Sequence, residues 1–194
     1  MAESHALETF FKLIAQVAHV EGVARGLDED QADVASTLRR SAYVLGVAAL
    51  DTYFHERAVG KLVTAAAPGA EPAARVASYL GGLSAEQVSG GRAEQLVRLR
   101  VGYKTLVSPQ NIDKLLTACG DMAENIWTDH ALALGSRPDR ERRALEVIYD
   151  RRNQIAHEGD WDNIDRSFRP MSAAHLQDCV AGVSRIAQGF DVLV

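Results

Sequence analysis

SAYVLGVAAL, residues Ser41–Leu50, decides the fold: read as a helix, it is small or apolar on nearly every side. Such a helix has no face to give to water and belongs at the centre of its fold. It sits inside a longer pattern. Asp28, followed three residues later by Gln31, resembles a capping box. From there Val34, Leu38, Leu45, Ala49, Tyr53, Val59 and Val63 keep a helical period to about Ala67, where Pro68–Gly69 ends it.

Helical signals continue on both sides of this core helix. Ser4 caps a first helix with Leu7, Phe10, Phe11, Ile14, Val17 and Ala18 as its apolar positions, and Gly26 stops it. His5 and His19 read as surface histidines. Glu71–Pro72 opens a short helix through Leu80, and Gly81–Arg92, glycine-rich at both ends, reads as a mobile loop. Ala93–Val107 is a helix, and Ser108 with Pro109 starts another that turns Ile112, Leu115, Leu116 and Cys119 inward. After Gly120 a further helix carries Met122, Ile126 and Trp127 to about Leu134. Gly135–Pro138 leads into a helix that ends near Glu158 with Gly159 as its left-handed cap. Gly159–Pro170 is an ordered polar loop, and Ser172 caps a last helix holding Leu176, Cys179, Val180, Val183, Ile186 and Phe190. No stretch reads as a strand, and nothing repeats. The expectation is one all-α domain over 1–194, a bundle of six to eight helices with an N-terminal helix (1–26), a core (28–159) and a C-terminal helix (171–190).

With 194 residues, 47% apolar and 24% charged, the chain is long enough to bury a real core. A net charge of −5 argues against a protein that coats nucleic acid, but leaves room for one local basic patch. Cys119 and Cys179 match no metal spacing and are expected to be reduced and structural. MAESHALETFF does not read as a signal peptide, and Ala42–Leu50 is too short to span a bilayer, so a cytoplasmic protein without membrane contact is expected.

One constellation carries chemistry: ALEVIYDRRNQIAHEG, Ala144–Gly159. On a helix advancing roughly 100° per residue, Leu145, Ile148 and Ile155 form an apolar stripe, and Arg152 falls on it. Asp150, Asn153 and His157 line up beside it. Arg140, Arg143 and Arg151 surround the same helix. An imidazole serves as general acid or base near neutrality, and a planar guanidinium grips two phosphate oxygens. The spacing alone also fits a plain structural role, an arginine paired across the bundle and a histidine at a helix C-terminus, favoured there by the dipole. Other chemistries find no support. There is no H-x-x-x-H pair, no phosphate loop and no nucleophile elbow, and His157, Glu158, Asp160 and Asp162 lack a metal spacing. His175 and Cys179, one turn apart, read as core.

Arg152-Asn153-Gln154-Ile155-Ala156-His157 resembles the R-x4-6-H motif of the HEPN superfamily, in which a polar residue follows the arginine. RRSAYVLGVAALDTYFHERAV (Arg39–Val59), the middle segments Ser108–Leu116 and Glu124–Trp127, and the late motif together resemble the RiboL-PSP branch of that superfamily. The likeness covers most of Arg39–Gly159. It implies a helical bundle that dimerises through the motif helix, and a metal-independent endoribonuclease with a composite site between two copies. His157 would be the acid or base, Arg152 the phosphate clamp and Asn153 the orienter, with Arg140, Arg143 and Arg151 as RNA contacts. Products would carry a 2′,3′-cyclic phosphate, and no metal or cofactor is called for. Implied partners are RNA, a second copy and an antitoxin or other protein of a toxin or antiviral defence system. The alternative within the family is a non-catalytic module that dimerises or binds a nucleotide or a protein. Partner-modified relatives carry a tyrosine two residues after the histidine. Gly159 stands there, so that regulatory site is not expected.

Overall fold

The computed structural model describes residues 4–67 and 71–193. Among these it has nine α-helices: α1 (His5–Arg25), α2 (Ala32–Ala65), α3 (Ala73–Leu80), α4 (Ala85–Ser89), α5 (Ala93–Val101), α6 (Pro109–Cys119), α7 (Ala123–Ala133), α8 (Pro138–Glu158) and α9 (Ala173–Leu193). A single 3-10 turn, Glu29–Gln31, precedes α2. The fold is the all-α bundle expected, with one helix beyond the expected range.

The central role of α2 follows from its side chains. Ala42, Tyr43, Val47, Ala49, Leu50, Tyr53, Phe54, Ala58 and Leu62 are all buried, and α1, α5, α6, α8 and α9 pack around them. Ala42 and Gly46 keep the helix thin, so neighbours approach closely. A methyl group at Gly46 would already touch Cys179 of α9 and Val17 of α1. Beyond this waist the core thickens into edge-to-face rings, Phe10 on Tyr53, Tyr53 on Phe54, and Phe54 and Trp127 on Phe190. The central helix is not covered all round, however. Val34 and Leu45 are exposed at 51% and 46%, because no element crosses the Ser41–Leu45–Ala48 line.

Local signals set most boundaries. The Ser4 and Ser108 hydroxyls accept from the backbone N–H groups of Leu7 and Asn111. Gly120 and Gly159 take left-handed conformations at the ends of α6 and α8, φ 92° and 63°. Ser172 accepts from His175 N–H at the start of α9.

Four expectations fail locally. The Asp28 side chain caps nothing, because the 3-10 turn intervenes before α2. Gly81–Arg92 holds a helical turn, α4, held by a true capping box between Ser84 and Gln87. The helix from Ala93 ends at Val101 rather than Val107, with Gly102 as its cap. A minimal antiparallel hairpin, β1 (Trp161–Asp162) with β2 (Ser167–Phe168), forms where no strand was expected. The predicted stop at Pro68–Gly69 lies outside the described residues.

Candidate functional site

The chemistry-bearing residues ride on α8, and both ends of that helix are fixed by charge. At its N-terminal half the Arg142 guanidinium lies over the Trp127 ring, 5.0 Å from its centroid, and donates to the Asp113 carboxylate at 3.0 Å. Trp127 Nε1 donates to the same carboxylate at 2.9 Å. One residue earlier, buried Glu141 accepts from the Ser136 hydroxyl at 2.6 Å and faces His130 of α7 at 4.0 Å. His130 is fully enclosed, and burial holds its proton affinity below the ordinary imidazole value, with Glu141 opposing and Arg185 reinforcing the shift. It packs so close to α9 that any side chain at Gly189 would overlap its ring.

At the other end α8 closes on Asp160, which sequence reasoning missed. Gly159 and Asp160 both adopt positive φ, 63° and 61°, a tolerable state for aspartate, and this turns the Asp160 side chain back into the bundle. There it is 0% exposed between two guanidiniums. Arg40 Nε of α2 donates to it at 2.6 Å, and Arg151 of α8 pairs with it at 2.7 Å. Arg40 also donates to Ser36 and to the Arg169 carbonyl, and stacks 5.1 Å from the centroid of Phe168. One buried carboxylate thus ties α2, α8 and the hairpin loop together. Its only signal in the sequence is indirect: two arginines on core-facing helices with no acid three or four residues away on their own helix.

With both ends fixed, the Arg152–Asn153–His157 group is held on a rigid frame. The Leu145–Ile148 stripe is buried, and Arg152 and Ile155 continue it half-buried, past the edge of the bundle's cover. Arg152 stacks 5.1 Å from the Tyr149 ring centroid. Among the described residues it has no ion pair, and neither Asn153 nor His157 has a side-chain hydrogen bond. His157 is exposed. The neighbouring Glu158 carboxylate is drawn toward Arg169 at 3.4 Å.

The structure does not bring all the sequence-predicted residues together. Arg140, Arg143 and Arg151 line the cleft between α8 and α9, and neither Asn153 nor His157 does. Arg143, on the same side of the helix as His157, lies 14 residues and about 21 Å along the axis from it. Arg151 is engaged by Asp160 and by the Pro170 carbonyl, 3.0 Å away. Arg143 pairs with Glu146 at 2.6 Å, on the surface. Arg140 has no partner among the described residues.

Cys179 is buried and Cys119 half-buried; both are free, and burial pushes each thiol up to about 12, so neither is a nucleophile near neutrality. His175, expected in the core, is instead exposed beside the α8–α9 cleft, because Ser172 N–H donates to its ring and turns it outward. Among the described residues no three His, Cys, Asp or Glu side chains are placed to hold a metal ion, and no helix is long and apolar enough to cross a membrane. No family model, curated protein or solved structure matches this chain.

Proposed function

We propose that this chain is a HEPN-type endoribonuclease that cleaves RNA without a metal, at a site completed by a second copy. The observation that carries the reading is the state of Arg152, Asn153 and His157. Three polar side chains on a firmly anchored helix make no ion pair or side-chain hydrogen bond among the described residues, Arg152 having only its stacking on Tyr149, while Arg142 and Arg151 of the same helix are paired. The half-buried stripe of Tyr149, Arg152 and Ile155 is the kind of surface a partner copy covers.

In the composite site one His157 takes the proton from a ribose 2′-hydroxyl, and the 2′-oxygen attacks the adjacent phosphorus. The second, protonated His157 gives its proton to the departing 5′-oxygen. The P–O2′ bond forms and the P–O5′ bond breaks, leaving a 2′,3′-cyclic phosphate and a 5′-hydroxyl. The two Arg152 guanidiniums hold the phosphate oxygens as charge gathers on them, and Asn153 orients phosphate and imidazole. Arg140, Arg143 and Arg151 would touch only a strand that passes around α8. A role in a toxin or antiviral defence system, with an antitoxin as partner, and a cytoplasmic setting complete the reading.

Cleavage of mixed RNA in EDTA tests it, with Arg152→Ala and His157→Ala alongside and the solution mass recorded. Cleavage by a dimer, lost in both variants, is expected. Intact tRNA, rRNA and mRNA after incubation, or a strict monomer, defeats it. One observation favours a second reading: no group of the chain orients His157. A non-catalytic dimerisation, nucleotide-binding or partner-binding module needs no such orientation.

A further inference from the structure

A cavity of about 1070 Å³ runs along the seam between α8 and α9, and neither Asn153 nor His157 lines it. Its floor is aliphatic: Ala144, Val147 and Ile148 from α8, Ala181 and Gly182 from α9. Gly182 sets the depth, since any side chain there would overlap the end of the Ile148 side chain, which would have to turn aside. Val147 lies 51% exposed on this floor, an apolar side chain left in water.

The two ends of the seam differ in the charge they offer. At one end Arg151 is engaged by Asp160, and Arg169 by the Trp161 carbonyl, Glu158 and Asp162. Asp178 stands at this same end and lines the seam with Tyr43 and Arg151. At the other end Arg140 and Arg185 have no ion-pair partner among the described residues, and Arg143 holds only the surface carboxylate of Glu146. Asp139, nearby, is taken by Arg137 at 2.7 Å. Uncommitted positive charge therefore gathers at one end of an aliphatic trough.

We infer that this seam binds a small single-chain aliphatic anion, a carboxylate or a phosphate monoester, with its head between Arg140 and Arg185 and its chain over Val147, Ile148 and Ala181. The volume suits a ligand of that size. A second copy seated head to head in the seam would set arginine against arginine, and one seated head to tail would offer a single Asp178 carboxylate to each Arg140–Arg185 pair. RNA would find little aromatic face for its bases: Tyr43 is buried beneath the floor at 5% exposure, and the exposed His175 ring stands at the Asp178 end, away from Arg140 and Arg185, held by Ser172 N–H. Asp178 at the far end repels a second anionic group, so one head and a plain tail fit better than a chain with an anionic group at each end.

The full chain is titrated by calorimetry with dodecanoate and with dodecyl phosphate, each below its micelle concentration, and with dodecylammonium, inorganic phosphate and a short single-stranded RNA. Saturable binding of one anionic amphiphile per chain is expected. Dodecanoate and dodecyl phosphate tell the two head chemistries apart, and binding of either one supports the inference. The Arg140→Gln/Arg185→Gln pair should weaken binding about tenfold or more, the scale of a lost charge-assisted hydrogen bond. Ala181→Leu, on an exposed position that leaves the core intact, should weaken it by filling the floor. His157→Ala should change nothing, which keeps this result separate from the fate of the nuclease reading. The inference fails if neither anionic amphiphile binds, if dodecylammonium binds as well, if inorganic phosphate binds as tightly as the chain-bearing anions, or if RNA displaces them.

Discussion

The C-terminal half of α8 carries two adjacent arginines that do opposite things. Arg151 is turned inward onto Asp160, a carboxylate with no exposure, and shares it with Arg40 of a distant helix. Arg152, one residue on, stacks on Tyr149 and pairs with no acid among the described residues. A guanidinium taken from water without a partner is costly, so burial and pairing go together at Arg151. Leaving Arg152 half-buried and unpaired costs some stability, and among the described residues only its stacking on Tyr149 offsets it. The contrast separates a cation that builds the fold from one available to something outside it.

Removing the shared acid is the most severe way to break that contrast. Asp160→Ala leaves Arg40 and Arg151, whose side chains are 12% and 19% exposed, facing each other without a counter-charge. A broken buried pair costs about 3–5 kcal/mol, so urea unfolding should show a loss of that order. A loss below about 1 kcal/mol would mean the node behaves as a surface pair. Next comes the seam beside Arg151. Gly182→Ala pushes a methyl into Ile148, and overpacking of this kind costs roughly 1–3 kcal/mol. Part of that loss should return in the Gly182→Ala/Ile148→Val double variant, read by the same unfolding curves, because the two side chains compete for one space.

A subtler effect belongs to the N-terminal end of the helix and shows only in acid. Burial keeps His130 neutral in the fold, while the unfolded chain binds a proton near the ordinary imidazole value of about 6.5. Below that pH the unfolded state holds more protons, so stability, complete above it, is lost progressively as pH falls toward the depressed folded value. His130→Leu should flatten the stability profile between neutrality and pH 5. An unchanged slope would assign the acid sensitivity to other groups.

How much of this was legible in the sequence depends on the range of the interaction. The central place of α2, the Ser108–Pro109 start of α6 and the Gly159 cap are local signals, and each is where the residues pointed. The wheel that placed Arg152 on the Leu145–Ile148 stripe also sets Arg140 and Arg151 roughly 100–120° from His157, whereas Arg143 shares the side of His157 but lies about 21 Å along the axis from it. The three arginines line a cleft that His157 does not. Asp160 was out of reach for a physical reason. In a polar loop, aspartate looks like a solvated turn residue, and its partner Arg40 lies 120 positions away. Likewise the α4 capping box was present in Ser84 and Gln87 but was hidden between glycines that read as a loop. Val34 and Leu45 kept the helical period yet stayed exposed, because periodicity tells which residues share a face and not whether another helix covers it.

The smallest expected effect on stability is the one that sharpens the comparison most. Asn153→Ala and His157→Ala remove side chains without a hydrogen bond among the described residues, so each should unfold within about 0.5 kcal/mol of the wild type. Arg152→Ala loses its stacking on Tyr149, worth about 0.5–1 kcal/mol at an exposed site, and gains relief from an unpaired half-buried charge. Its net change should therefore be small and of either sign. Set against the several kcal/mol expected for Asp160→Ala, such near-neutrality would mean that these three residues do little for the fold, and a simultaneous loss of RNA cleavage would locate their use at the composite site. If His157→Ala or Arg152→Ala instead destabilised the chain by 2 kcal/mol or more, roughly the cost of a broken buried network, both arginines of the pair would be structural. The distinction between Arg151 and Arg152, and the function drawn from it, would then fall together.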